Sequence, residues 1–361
     1  MIISAMSVIS PYGLGERAFG DGVRAGRSAL SGVDSEQDVP YTEAGVVDGA
    51  AVSELLISDC EINTRAQRGL GRPGGLAVGA LALLLREHAL AEYGPAERAL
   101  VLGGDLTTTD RAMDLMYDSL TEALPYHVNG RQLPSTAMNF PTTQCAVKFG
   151  FQGPNSTITS GRVTGLSVLN YARRLHRAGR APMVVAGAVE DLNQRRSWIT
   201  WHGLGGQEAR PLGEGSCLFL TESAESAAGH GRTPIAEVLA LEFGTALDPA
   251  DTKAALTTRI RRAMVSAGLA PGGIDTAVLS GVDGDVEHAA VAGVLGENAR
   301  VLFPARLIGD TAGASAAFQV ATAVSDPSTE FALITAVDPD GQVGCGVLRV
   351  FSGLSTPEQG A

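Results

Sequence analysis

Residues 153–191 read GPNSTITSGRVTGLSVLNYARRLHRAGRAPMVVAGAVED, and this stretch decides the fold. Ser160, Gly161 and Gly165 are small residues that allow the backbone to bend sharply and to bring a helix N-terminus close to a neighbouring element. The apolar run at 182–189 has the length of a strand buried on both faces. Between them, apolar residues recur at helical spacing, at Leu166, Leu169, Ala172 and Leu175. The stretch therefore predicts a strand, a tight turn, a helix and a second strand, and such a turn often holds a nucleophile.

The composition favours closely packed helices and sheets. Of the 361 residues, 45% are hydrophobic and only 5% aromatic, so the core must be built from alanine, valine, leucine and glycine. The formal charge of −12 argues against a nucleic-acid partner. The first residues lack a basic leader, and no uninterrupted apolar run reaches about 18 residues. We therefore expect a cytoplasmic protein without a membrane segment.

Metal and cofactor sites are not indicated by the sequence. The four cysteines and six histidines are scattered without metal-ligand spacing, so we expect no metal, no disulfide framework and no bound cofactor. Residues 69–74 match the pattern GxGxxG, but they follow a polar segment and not a strand. We therefore interpret them as a loop, and not as a dinucleotide site.

The pattern of elements occurs twice along the chain. A second strand–helix–strand unit at 300–337 follows the first at 153–191, and residues 31–66 are interpreted as polar and irregular. We infer an internal duplication with two halves, 1–232 and 233–361, in one compact fold. Each unit is preceded by a predicted helix and then a strand: 76–92 and 98–104 in the first half, and 252–267 and 276–281 in the second.

The spacing of the first unit resembles that of the β-ketoacyl synthases of fatty-acid and polyketide assembly. In that family a glycine-proline and a strand precede an elbow that carries the nucleophilic cysteine. Aligned without a gap from Gly153-Pro154, Gly165 matches a glycine of the elbow and Arg162 stands on the cysteine. The resemblance extends over essentially the whole chain and implies an α/β thiolase-like fold, a five-layered αβαβα sandwich made of two duplicated βαβα halves. Because an arginine cannot be acylated, position 162 cannot serve covalent catalysis.

The other catalytic positions that the resemblance implies are also vacant. Ser280 stands at the place of the first catalytic histidine, Asp310 at that of the second, and Ala305 at that of the supporting lysine. Residues 340–343 replace a glycine-rich gate loop. The resemblance therefore leaves the chain with no catalytic residue.

Arg162 and Asp310 replace two groups that face one another across the family's active site. We expect them to form a charge-assisted pair that fills this site. The alternative is that Arg162 points into solvent, or toward Glu190 or Asp191.

A ketosynthase fold without its chemistry resembles the chain length factor, or ketosynthase β-subunit, of bacterial type II polyketide synthases. This resemblance implies a heterodimer with an active ketosynthase, in which a pocket at the interface limits polyketide length. An arginine in place of the glutamine of many such subunits points to the polyene-forming branch. The resemblance implies that the residues lining this tunnel are Thr109, Ala112, Met116 and Arg196. Small residues at these positions would leave a longer channel.

An acyl carrier protein is the second partner that the resemblance implies. A basic patch at the end of the predicted helix is either a solvated helix end or a docking site for this acidic protein. It consists of Arg173, Arg174, Arg177 and Arg180.

Two other functions remain open. The chain could be an active acyltransferase or thioesterase with a displaced nucleophile, such as Ser160 or Cys145, although core packing is the simpler interpretation of Cys145. It could also be a scaffold that binds a carrier protein without shaping any product. Acylation of the chain would support the first, and product length that does not respond to a bulky residue at Met116 would support the second.

Overall fold

The computed structural model describes residues 1–34, 36–206, 210–282, 285–296 and 299–351. Its strands are β1 (Ile2–Ser10), β2 (Gly13–Leu14), β3 (Ser31–Gly32), β4 (Glu43–Gly45), β5 (Arg98–Gly103), β6 (Asn155–Ile158), β7 (Met183–Glu190), β8 (Leu212–Gly213), β9 (Gly215–Glu222), β10 (Ala236–Thr245), β11 (Thr276–Val278), β12 (Arg300–Leu302), β13 (Phe331–Val337) and β14 (Gln342–Val350). Its helices are α1 (Glu16–Arg24), α2 (Gly49–Ser58), α3 (Thr64–Glu87), α4 (Thr109–Thr121), α5 (Phe140–Phe149), α6 (Thr164–Arg177), α7 (Gln194–Gly203), α8 (Ala224–Gly229), α9 (Thr252–Ala267), α10 (Asp285–Leu295), α11 (Ala305–Ile308) and α12 (Ser315–Ser325). None of the described helices is long and apolar enough to cross a membrane.

Most strands belong to one mixed sheet in the order β12, β11, β13, β14, β10, β1, β9, β7, β5, β6. The same pairing pattern occurs twice in it. β5 is parallel to β6 and β7, and β9 runs antiparallel between β7 and β1. Likewise β11 is parallel to β12 and β13, and β14 runs antiparallel between β13 and β10. The predicted boundary at residue 232 lies between β9 and β10, and division of the chain there stays a prediction.

Helices cover both faces of each half of the sheet and so produce the five layers of the predicted αβαβα sandwich. α6 and α12 lie between the two half-sheets, and every residue of α12 is buried. α2, α3 and α5 cover the outer face of the first half-sheet, and α9 and α10 cover that of the second. Because helices cover both of their faces, strands such as β7 and β9 are buried along their whole length.

The stretch 153–191 folds as predicted into β6, a turn, α6 and β7. The turn is a short 3-10 segment, Gly161–Val163. Gly161 has φ 53°, and a Cβ atom on it would lie 1.8 Å from Asp338 Oδ2, so only glycine fits. A Cβ atom on Gly165 would lie 2.4 Å from the backbone nitrogen of Ala317 in α12. Gly161 therefore leaves room for the Asp338 carboxylate, and Gly165 allows the start of α6 to lie directly against the α12 backbone, as the sequence predicts.

Two sequence predictions about local structure are wrong. Residues 49–58 of the segment interpreted as irregular form α2, whose N-cap Asp48 accepts hydrogen bonds from the next turn's backbone. The predicted loop at 69–74 lies inside α3, which is kinked at Gly71 (φ 66°, ψ 177°). Pro73 falls in the first turn after the kink, where a missing N–H is tolerated, so glycine and proline here mark a kink and not a loop.

Candidate functional site

Arg162 and Asp310 form the predicted ion pair. Arg162 lies in the turn before α6, and Asp310 lies between α11 and α12. Arg162 Nη2 donates to Asp310 Oδ2 at 2.7 Å, and Asp310 Oδ1 accepts from the backbone of Ala312 at 2.9 Å. The two residues are only 5% and 2% exposed. Arg162 therefore does not point into solvent, and the site of the expected nucleophile contains a buried cation and its counter-charge.

Burial and charge act in opposite directions on Asp310. Burial alone would raise its pKa, but the Arg162 cation and its hydrogen bond, with the Arg196 cation, lower the pKa of Asp310 to about 2. The carboxyl group is therefore ionised at neutral pH. An ion pair of this kind need not stabilise the fold more than apolar side chains would, but it makes each partner depend on the other.

The backbone N–H of Arg162, in the elbow, donates to the carboxylate of Asp338. No local sequence pattern predicts this role of Asp338. The Arg162 backbone N–H donates to Asp338 Oδ2 at 2.9 Å, and the Asp340 backbone donates to Oδ1 at 3.0 Å. A backbone N–H beside a nucleophile is the kind of donor that stabilises an oxyanion in acyl transfer. Here a carboxylate oxygen already accepts from the N–H of Arg162, so this donor is bonded within the protein.

Ser280 lies in a second buried network, which also contains the unpredicted Glu287 of α10. The Ser280 hydroxyl donates to Glu287 Oε2 at 2.7 Å, and its backbone N–H donates to Oε1 at 3.1 Å. The Thr335 hydroxyl donates to Glu287 Oε1 at 2.6 Å. Burial raises the pKa of Glu287, although these hydrogen bonds oppose the change. Ala305 lies at the start of α11 and contributes only a methyl group.

Arg196 lies in α7 and not in a loop, and its guanidinium group is entirely buried. It donates to the backbone carbonyls of Asp191, Gly213 and Asp310 at 2.5, 2.9 and 2.8 Å. Beside it, Glu190 accepts from three backbone N–H groups, and burial raises the pKa of Glu190 to about 8. These contacts fix the loops around the elbow. Assignment of Arg196 to a channel wall stays a prediction.

The other three predicted tunnel residues lie together on α4. Thr109 and Ala112 are partly exposed, and Met116 is 64% exposed. No residue of α4 is buried, although the helix and the segment after it carry several large apolar side chains. The exposed ones are Met113, Met116, Tyr117, Leu120, Leu124, Tyr126, Leu133 and Met138.

The displaced nucleophiles considered from the sequence differ in their surroundings. Cys145 belongs to α5, has no exposed surface and packs in the core with residues of α3, as core packing predicts. Burial raises the pKa of its thiol, which makes the thiolate scarce. Ser160 is half-buried, and no hydrogen bond within the described ranges joins its hydroxyl to a histidine or a carboxylate. His288 lies in α10, and the described residues contain no group that could hold a metal ion.

A cationic cleft opens between α2, the start of α3 and the segment before α5. It encloses about 770 Å³, and none of the described residues that line it is acidic. Arg72 in it is bound to Glu214 through Nε and Oε2 at 2.9 Å and also donates to the Val47 carbonyl. The arginines of the cleft are Arg65, Arg68, Arg72, Arg111 and Arg131. This cluster is unusual in a chain with a formal charge of −12.

Comparison with known protein families gives a consistent result. The sequence profile of the β-ketoacyl synthase N-terminal domain matches residues 80–226. The tetracenomycin polyketide synthase ketoacyl synthase alpha subunit of Streptomyces glaucescens is 27% identical over 266 residues, which are 66% of this chain and 61% of that protein. The granaticin polyketide putative beta-ketoacyl synthase 1 of Streptomyces violaceoruber is 25% identical over 265 residues, or 66% and 62%. The chain thus spans about three fifths of the length of these curated relatives.

Solved structures give fuller coverage. A chain of the ishigamide ketosynthase/chain length factor has 33% identity and a TM-score of 0.86, covering 97% of this chain and 99% of that chain. A type II PKS acyl-carrier protein in complex with its ketosynthase, bound to the hexaketide, includes a chain with 17% identity and a TM-score of 0.81, covering 97% and 98%. The second likeness shows the shared fold only.

Proposed function

The chain belongs to the β-ketoacyl synthase family, and we propose that within it the chain is a catalytically inactive subunit of a type II polyketide synthase. It pairs with an active ketosynthase, as a chain length factor does. The observation that carries this proposal is the buried pair of Arg162 and Asp310 at the position of the nucleophile. With Asp338 on the elbow's backbone N–H, neither acylation nor oxyanion stabilisation has a group to perform it.

The second part of the proposal is that this subunit shapes a channel for the growing polyketide. Thr109, Ala112 and Met116 lie on α4, where Met113, Met116, Tyr117 and Leu120 are exposed among the residues that the structure describes. Because no side chain of α4 is fully buried, the core of this chain does not hold the helix by itself. A partner that covers α4 would enclose a channel there. The small Thr109 and Ala112 leave room for a long chain, in keeping with a product of the polyene-forming branch.

An acyl carrier protein is the second proposed partner, and it would carry the growing polyketide to the heterodimer. The likeness to ketosynthase subunits of polyketide synthases supports this partner. The cationic cleft offers a concentration of guanidinium groups, and Arg65, Arg68, Arg111 and Arg131 make no ion pair with a residue of the described ranges. Guanidinium groups bind phosphate and carboxylate well, so the cleft suits an acidic, phosphate-bearing protein at least as well as the patch at Arg173–Arg180 does.

The proposal is tested by co-expressing the chain with the active ketosynthase of its gene cluster. We expect a 1:1 heterodimer by size-exclusion chromatography. After incubation with malonyl-loaded carrier protein, intact mass should show the acyl adduct on the ketosynthase alone. A homodimer of this chain that becomes acylated would overturn the proposal and return attention to Ser160.

A further inference from the structure

Two consecutive arginines of α7 hold different parts of the molecule. Arg196 binds the carbonyls beside Asp310, as described above. Arg195 Nη1 instead reaches α4, where it donates to the Asp110 carbonyl at 2.6 Å and lies 3.2 Å from Asp110 Oδ1 and 2.7 Å from Asp114 Oδ1. No pattern in the sequence around residue 195 marks this role. One turn of α7 therefore connects the rigid centre of the molecule to α4.

Arg195 contacts the face of α4 that carries Asp110 and Asp114. Asp110 and Asp114 are four residues apart, so they share one face of the helix. Ala112 and Met116 are also four residues apart, but the offset of two residues turns them by about 200° from the acidic pair. The face that carries Met116 is therefore opposite the face that Arg195 binds.

Core packing cannot fix the position of α4, because none of its residues is buried. The side chain of Arg195 is 30% exposed, and those of Asp110 and Asp114 are 44% and 37% exposed. Arg111 provides a weaker contact, from Nη2 to the Arg68 carbonyl at 3.4 Å. α4 also packs against residues 130–136, so the polar contacts of Arg195 fix its distance from α7 in particular.

We propose that Arg195 is a positioning residue for product length, an inference that rests on the proposed function. By holding Asp110 and Asp114, it sets how far α4 stands from α7, and so the depth of the channel along Ala112 and Met116. Its own anchor is the buried network around Arg196 and Asp310. The buried charged groups around Asp310 thereby help to position α4, the helix that would limit product length.

The test compares variants in the assembled heterodimer by mass spectrometry of the products. Arg195→Gln removes the clamp, and we expect the fraction of products of unintended length to rise about fivefold, the population change expected from losing exposed ion pairs. Asp110→Asn with Asp114→Asn should give the same broadening. Arg195→Lys keeps the positive charge without the guanidinium fork, so its fraction of products of unintended length should lie between those of the wild type and Arg195→Gln. Arg86→Gln, which removes an exposed ion pair with Asp59 elsewhere, is the matched control and should change nothing.

Met116→Trp separates this inference from the function on which it rests. This variant fills the channel and should shift products to one shorter length, whereas loss of Arg195 should broaden the distribution. If Met116→Trp shortens the products and Arg195→Gln leaves the distribution unchanged, or only lowers total output, the positioning role is overturned and the proposed function stands. If neither variant alters product length, the channel itself is rejected.

Discussion

At the scale of single residues, the site around Arg162 is filled by charged groups that compensate one another. A cation at position 162 enters a closely packed elbow, and such a charge is tolerated in a protein interior only with compensation. Asp310 supplies it through its side chain, while its carbonyl serves Arg196. The two roles of Asp310 are separable because one uses the side chain and the other the backbone.

Asp310→Ala should lower the free energy of unfolding by roughly 3–5 kcal/mol, because it removes the counter-charge of a buried guanidinium group. Urea denaturation measures the difference. Glu54→Ala is the control, since Glu54 is exposed in the interior of α2; it should change stability by less than about 0.5 kcal/mol. Replacing both partners, as Arg162→Met with Asp310→Leu, should restore most of the loss.

The pH dependence provides a second check on the same pair. The folded pKa of Asp310, about 2, is below its ordinary value of 3.8, so its contribution is complete above pH 3.8 and is lost as the pH falls toward 2. The stability gap between the wild type and Asp310→Ala should thus be constant from pH 7 to about pH 5 and narrow below pH 4. A gap that is equally large near pH 3 would contradict an ionised Asp310.

The sequence allowed prediction of this pair because both residues stand at positions defined by local glycine patterns. Asp338 and Glu287 could not be found in the same way. Each acts on a residue that is distant in sequence or belongs to another element, and nothing local marks it. Asp338-Pro339-Asp340-Gly341 has the composition of a turn, but that composition does not say which backbone N–H the first carboxylate would reach.

At the scale of elements, α6 and α12 approach each other closely at Gly165 in the central layer. Gly165→Ala should lower the free energy of unfolding by about 1–3 kcal/mol, since the added methyl group would overlap the Ala317 backbone, which cannot rotate away. Chemical denaturation measures this change. Gly293→Ala in α10 is the matched control: a Cβ atom there meets nothing within 4 Å, so the substitution should stabilise the helix by up to about 1 kcal/mol. Equal effects of the two substitutions would contradict the close approach.

Element prediction succeeded where periodicity was strong and failed where residues that break helices occur inside one. α9 begins at Thr252 and ends at Ala267, as predicted, with Gly268 in the left-handed conformation after it. The prediction of a loop at 69–74 is wrong because the glycines and the proline of this segment, which are typical of a loop, lie at a kink inside α3. The packing of its second part against the first half-sheet decides that it continues as a helix, and the sequence does not display that packing.

At the scale of the whole molecule, the five layers follow from the duplicated pattern, but the surface that a partner covers does not. Leu120→Arg should abolish pairing with the ketosynthase, because Leu120 is 82% exposed within the apolar group on and after α4. Co-purification of the two chains measures this. Leu247→Arg, on a side chain that is 97% exposed in the turn after β10, should leave pairing intact. Both variants should fold normally, since neither side chain is part of the core.

The contact of Asp338 with the elbow has a consequence for the history of this chain. A single Arg162→Cys substitution would remove one of the two cations beside Asp310 and would still place the new thiol beside a backbone N–H that already donates to a carboxylate oxygen. Such a variant should lose stability without gaining a vacant oxyanion donor. On the function proposed above, one substitution would therefore not restore catalysis, and the loss acts as an evolutionary ratchet.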